Sequence, residues 1–442
     1  MMMKNRRRQI FDILSVLAFA LLLGGCGTGA AGAALAGQQS LQAAEGWESI
    51  PETEAVTPAS METPAATTET DGATEALSGT ETAEETAETE DPAVELIMVG
   101  DVLMHDRIIE AGKQADGTYS YDFLFEHTAD LIEDADLALV NQETILGGGA
   151  LRYSGYPAFN SPTEVGDAEV KAGFDVALHA TNHALDRKAA GVENTLAFWK
   201  STYPEMEVLG IHDSAEDQQE LCILEIKGIR IAILNYTYGT NGISMPADKP
   251  YLVDYLTTDR VLADIARAEA EADFTVVIPH WGIEYKLEPS ADQKKWAKLF
   301  LENGVDLVIG AHPHVIEPME WMEDEKGHRM LVYYSLGNYV NATSGTGAGV
   351  MNRLVGGMAD VELIREEDGT VVIESAGVIP LITHWEQGLY TTYVMEDYTE
   401  ELAAVNTVRK QDASFSLEAC RKLARDVWGE FIISEEEAHE GF

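Results

Sequence analysis

The chain has 442 residues, three cysteines, and 76 acidic against 29 basic side chains, a formal net charge of −47. A body this acidic repels nucleic acid and anionic lipid at long range; it favours cations or neutral and zwitterionic substrates, and an anionic substrate needs a local positive centre. The length allows two or three domains, or one large α/β domain with extensions, and the cysteine spacing gives no disulfide framework.

Met1 to Arg8 is cationic, and Ile13 to Leu23 is apolar but short of the ~20 residues that span a bilayer. The apolar run ends in Leu23-Gly24-Gly25-Cys26, which resembles a bacterial lipobox. This predicts a lipoprotein signal peptide over residues 1–26, cut before Cys26, whose thiol takes the lipid; an uncleaved signal anchor is the alternative. Either reading puts the body outside the cytoplasmic membrane. Residues 27–90 hold no Lys or Arg and are rich in Ala, Thr, Glu, Gly and Pro. Such a segment buries too little apolar area to offset chain entropy, so residues 27–92 read as a disordered acidic spacer.

From Val94 the composition changes. Residues 94–99 read as a strand ending at Gly100-Asp101, and residues 123–134 as a helix. Residues 137–140 are a strand that ends in Asn141-Gln142-Glu143, and residues 164–172 a helix. Residues 175–180 are a strand ending in Thr181-Asn182-His183, with a helix predicted from Ala184 to Lys200. Residues 221–226 and 229–236 read as a hairpin about Lys227-Gly228, with Cys222 a small buried hydrophobe. A helix over 258–271 precedes a strand over 274–279 that ends in His280-Trp281-Gly282. A helix over 293–303 and a strand over 305–309 lead into Gly310-Ala-His312-Pro-His314. Residues 330–334 form a strand ending in Ser335-Leu-Gly-Asn338; residues 357–364 and 370–382 supply further β structure. Strand–helix alternation predicts an α/β class, and doubly buried apolar runs fit a two-sheet sandwich with outer helices over 93–385. Residues 386–442 read as a helical C-terminal extension.

The polar residues collect at carboxyl ends of strands, where α/β sheets place their sites. Asp101, Asn141, Glu143, Asn182, His183, His280, His312 and His314 have the donor hardness for two adjacent divalent or trivalent ions. Two such ions can hold both oxygens of a phosphoryl displacement and acidify a bridging water. The pair His312 and His314 aims two imidazoles at one region. His127, His212, His328, His384 and His439 have no ligand spacing.

The ordered set Gly100-Asp101, Asn141-x-Glu143, Asn182-His183-x-x-Asp186, His280-Trp-Gly-x-Glu284, Gly310-x-His312-x-His314 and Ser335-Leu-Gly-Asn338 resembles the bacterial capsule-synthesis CapA (poly-γ-glutamate) family. That family is similar to the calcineurin-like metallophosphoesterases. The resemblance implies a four-layer αββα fold and two metal ions (Mn, Fe or Zn). It implies Asp101 and His314 on the first ion, Glu143 bridging, and Asn182, His280 and His312 on the second. It implies His183 as the catalytic acid toward the leaving oxygen, with Asp186 orienting it. Two departures stand out. The first histidine after Asp101 is His105, not the His of an Asp-x-His motif, and the second motif is Asn-Gln-Glu. The implied role is in capsule, poly-γ-glutamate or other envelope-polymer metabolism, on an envelope polymer or phosphate-ester substrate. The alternative is a non-catalytic scaffold, export or accessory subunit beside membrane polymer-synthase subunits. No nucleic-acid partner is expected, and the membrane is reached through the lipid on Cys26.

Overall fold

A computed structural model describes residues 93–434 and 437–438. The signal segment, Cys26 and the spacer over residues 27–92 lie outside the described residues. Among the described residues fourteen strands follow in chain order: β1 (Val94–Val102), β2 (Leu137–Asn141), β3 (Val176–Leu178), β4 (Glu207–Leu209), β5 (Cys222–Ile226), β6 (Ile229–Thr237), β7 (Phe274–His280), β8 (Leu307–Ile309), β9 (Ile316–Glu323), β10 (Arg329–Leu336), β11 (Asn338–Val340), β12 (Val355–Arg365), β13 (Val371–Glu386) and β14 (Leu389–Val394). The α-helices between and after them are α1 (Asp106–Ala111), α2 (Ala129–Asp134), α3 (Glu164–Ala172), α4 (Lys188–Thr202), α5 (Thr258–Glu271), α6 (Ala291–Glu302), α7 (Glu400–Val405) and α8 (Leu417–Trp428).

The strands form two sheets. One has the order β14-β13-β12-β1-β2-β3-β4 with β11 paired to β1; the other runs β5-β6-β7-β8-β10-β9. In the second sheet, side chains alternate between two environments, as the period of a strand requires. Ile231, Ile233, Val276, Ile278, Leu307, Ile309, Leu331 and Tyr333 share a core with Leu96, Met98, Leu139 and Val176 of the first sheet. Their neighbours Ala232, Leu234, Val277, Val308 and Val332 pack instead on Val261 and Ile265 of α5 and Trp296 and Phe300 of α6. The core of the first sheet also takes in Leu131 and Ile132 of α2 and Val165 and Ala168 of α3. Helices, sheet, sheet and helices make a four-layer αββα sandwich. Each aliphatic side chain buried between layers contributes roughly 1.5–3 kcal/mol. A one-residue slip would exchange the two faces, so the register is strongly held.

The elements depart from the sequence reading where tertiary contacts intervene. The helix predicted over 123–134 is a short 3-10 turn, Asp122–Leu124, and then α2. Between them Thr128 Oγ1 meets Phe125 O and Tyr339 OH, which fixes a turn in place of helix. The helix predicted from Ala184 starts at Lys188. α6 starts two residues early because Ser290 and Gln293 form a reciprocal capping box. The expected C-terminal boundary at 385/386 falls at a hairpin: β13 runs to Glu386, and β14 pairs back on it from Leu389. The helical part beyond is modest, consisting of α7, α8 and short 3-10 turns. It is tied to the body, since Leu417, Cys420, Ala424 and Trp428 of α8 enter the main core and Trp428 Nε1 donates to Glu317 O. Among the described residues no helix is long and apolar enough to cross a membrane.

Candidate metal centre

Each polar cluster reaches the site because its strand stops there. β1 carries Asp101 into register with Asn141 of β2 on one side and Asn338 of β11 on the other. β7 ends at His280, and a parallel bridge joins it to Ala311, which sets the loop after β8 alongside. Trp281, the next residue, points to the opposite face and packs on Phe300 and Tyr334, so His280 is not held by its neighbour. Gly310 opens the loop because a Cβ there would lie 2.2 Å from Tyr334 O and 2.4 Å from Trp281 Nε1. Asn235 of β6 ties the two sheets together beside the site: its Oδ1 accepts from Ala180 N and its Nδ2 donates to Ile278 O.

His312 and His314 both have positive φ, 99° and 58°. Non-glycine residues are uncommon there, and such strain amounts to roughly 1–3 kcal/mol each. Surrounding bonds hold the loop in that shape. His312 N donates to Asp101 Oδ1, Asn338 Nδ2 donates to His314 O, and Tyr285 N donates to the intervening Pro313 O.

Glu143 lies at the centre. It is buried, and neither carboxylate oxygen has a hydrogen-bond partner among the described residues. Its Oε1 is 3.7 Å from His280 Nε2, 3.7 Å from His314 Nε2 and 3.9 Å from His183 Nε2. Those separations are beyond hydrogen-bond reach. Two groups of three buried ligand atoms overlap on it: Glu143 with His280 and His312, and Asp101 with Glu143 and His314. Nδ1 of both His280 and His312 and Oδ1 of Asn141 also lack partners among the described residues. A buried carboxylate with no hydrogen bond, facing several imidazoles, fits a cation set. The residues present therefore suit metal: a carboxylate shared by two triads, outer imidazoles, and Asn182 Oδ1 3.0 Å from His280 Nε2.

The electrostatics distinguish the donors. Burial drives His280 and His312 well below the ordinary histidine range, helped by neighbouring imidazoles, so both are neutral and able to ligate. Burial pushes the Glu143 carboxyl well up, against the pull of His314. Burial alone would lower His314, but Glu143 and the Asp101 hydrogen bond outweigh it and raise it to about 10. His314 Nδ1 lies 3.0 Å from Asp101 Oδ2 and 3.1 Å from Asn338 Oδ1, which leaves its Nε2 toward Glu143.

His183 and Asp186 meet in the turn before α4, with Nδ1 and Oδ2 2.7 Å apart. The same Asp186 oxygen accepts from Phe159 N, and the Phe159 ring stands edge-on to His183. A carboxylate on Nδ1 leaves Nε2 free to face the centre. His105 lies outside both triads: its Nδ1 is 3.2 Å from Leu103 O, and burial lowers its pKa to about 4. Glu284 sits exposed on the loop after β7. Sequence reasoning missed Asn241, whose amide contacts Asn182 and His183, and Tyr238, whose ring lies 4.7 Å from that of His312. Both are on the loop after β6, where no strand-end histidine or acid marks the sequence.

Residues 95–343, more than half of the chain, match the family of bacterial capsule synthesis protein PGA_cap. The chain is 27% identical over 260 residues to the capsule biosynthesis protein CapA of Bacillus anthracis, covering 57% of this chain and 60% of that one. It is 26% identical over 255 residues to the PGA biosynthesis protein CapA of Bacillus subtilis, covering 57% and 64%. The match thus spans less than two thirds of either relative. Among solved structures it is similar to a calcineurin-like phosphoesterase from Bacillus subtilis, 14% identical, with a TM-score of 0.39, covering 75% of this chain and 100% of that one.

Proposed function

The chain belongs to the bacterial capsule synthesis protein PGA_cap family, and from that premise we propose that its body is a metal-dependent hydrolase or transferase of phosphoesterase type, working in envelope-polymer metabolism at the outer face of the membrane. The observation that carries this reading is Glu143, a buried carboxylate with both oxygens unpartnered among the described residues and three imidazole Nε2 atoms within 3.9 Å of Oε1. In this reading Asp101, Glu143 and His314 would hold one ion, and Glu143, Asn182, His280 and His312 the other. The ions, when bound, supply Lewis acidity and a water acidified to near neutrality. His183, when doubly protonated, would give the Nε2 proton to the leaving oxygen, with Asp186 orienting the ring through Nδ1. Asn141 Nδ2 holds Asp101 Oδ1 in place. Lipidation at Cys26 would anchor the chain, with the acidic spacer over residues 27–92 holding the body away from the membrane.

Elemental analysis of the purified full chain tests this. Manganese, iron or zinc should co-purify, and the double variant His312→Ala, His314→Ala should lose it while keeping its fold by circular dichroism. A folded wild-type chain that takes up none of these metals would sink the reading. A second reading is favoured by the names of the two relatives: an accessory or scaffold subunit beside a membrane polymer synthase. It wins if metal binds, no phosphodiester is cleaved with added Mn²⁺, and membrane synthase subunits co-purify.

A further inference from the structure

The ions proposed above would meet the reacting group, so a second anionic group on the substrate needs a positive partner of its own in an overwhelmingly acidic chain. Arg353 supplies one at the His314 flank. Its guanidinium lies 3.7 Å over the Tyr285 ring, and that ring is 6.0 Å from the His314 ring. The guanidinium is thus within about 10 Å of a proposed metal ligand, the upper bound set by those two separations, which is the span of one substituent on a phosphate ester. Its backbone is fixed by the same residue that holds His314, since Arg353 O accepts from Asn338 Nδ2 and also from Asn341 Nδ2. Its Nη1 donates to Thr343 Oγ1. Nε has no partner among the described residues, and Arg353 makes no ion pair among them.

The Gly345–Gly349 loop gains a purpose here. A Cβ at Gly345 would stand 3.0 Å from Arg353 Nη1, so glycine leaves the guanidinium its place. A planar fork with donors to spare, flattened on an aromatic ring, is preorganised for a carboxylate or phosphate and loses little freedom on binding it. In a chain with 76 acids, an arginine beside the site with no carboxylate partner is unspent charge.

We propose that Arg353 is a specificity-determining residue of this site, receiving an oxyanion of the substrate adjacent to the bond that reacts. This rests on the site being the substrate site proposed above. The substrate class is then an ester or polymer unit carrying a second anionic group, carboxylate or phosphate, next to the scissile position.

Isothermal titration of the full chain, as purified and after Mn²⁺ loading, with inorganic phosphate and with glutarate tests it. Arg353→Met should weaken binding of at least one of the two anions about tenfold or more. Metal content and melting temperature should stay at the wild-type values. Arg353→Lys, which keeps charge without the fork, should fall between. Loss for phosphate alone identifies a phosphate group as the second anion, and loss for glutarate alone a carboxylate. Gly345→Val should mimic Arg353→Met by displacing the guanidinium. Equal binding by wild type and Arg353→Met overturns the proposal, as does a wild type that binds neither anion. Metal content is read independently, so absence of metal with Arg353-dependent anion binding would fault the catalytic reading and leave this one standing.

Discussion

Two of the places where the protein buries histidine beside carboxylate are built oppositely. At His212, Nε2 lies 2.6 Å from Asp254 Oδ2, Asp217 stands 3.7 Å from Nδ1, and Asp254 Oδ1 takes a further bond from Gln218. Every charge there has a partner. At Glu143 the imidazoles stand off at 3.7–3.9 Å and both carboxylate oxygens lack partners among the described residues. The first arrangement is a finished structural clasp, joining Ile211 and Val253 across an antiparallel bridge. The second stabilises nothing by itself, because a buried carboxyl with no hydrogen bond opposes folding. What separates a clasp from a binding site is thus satisfaction, not composition.

The largest expected effect breaks the site half of that contrast. Glu143→Gln should cut metal affinity by more than the roughly 10–100-fold typical of an outer-sphere partner, read by competition with a chelating dye. The same measurement on His212→Ala should show wild-type affinity. Stability should respond in the reverse sense. Of cations among the described residues, His212→Ala leaves Asp254 only Arg260 at 3.8 Å and Asp217 only Lys200 at 3.7 Å, and should destabilise the body by roughly 1–3 kcal/mol in urea unfolding. Glu143→Gln, measured without metal, should instead leave it no less stable, since a buried carboxyl without a hydrogen bond, pushed by burial toward its uncharged form, contributes nothing that the amide lacks. A Glu143→Gln protein less stable than the metal-free wild type would mean that the carboxylate is already satisfied.

The pH dependence sharpens the comparison further. His212 is raised to about 9: burial lowers it, but Asp217 and Asp254 outweigh burial. A folded pKa above the unfolded one means that its contribution is full below about 6.5 and is lost as pH rises through about 9. Urea midpoints measured from pH 6 to 10 should fall over that window in wild type, and less steeply in His212→Ala. The smallest effect belongs to Glu143 in the metal-free protein. Its raised pKa makes stability decline as pH climbs above the ordinary carboxylate range, and bound metal should abolish that slope.

Strand-end polarity exposed much of the site in the sequence, because a buried strand with an acid or imidazole at its last residue is legible from apolar runs alone. Asp101, Glu143, His280, His312 and His314 were visible that way, and the structure brings them together. Tyr238, Asn241, Phe159 and Arg353 were not, since they sit on loops whose paths depend on what the loops pack against. β4, β9, β11 and β14 are not legible in the sequence: β4 and β11 span three residues each, β9 is exposed in part, and β14 falls in the segment that reads as a helical extension.

Sequence alone determined the α/β class, the acidic character, the donor types and their order along the chain, since these follow from composition and from side-chain period. Only the tertiary structure decided that Glu143 sits between two triads, that β11 delivers Asn338 to both Asp101 and His314, and that the loop at 312–314 is held at positive φ. The physical reason is that each of these depends on contacts between segments some forty to two hundred residues apart, such as Asp101 with Asn141 and with His314. No local pattern encodes such a contact; it is set when two sheets close on one core.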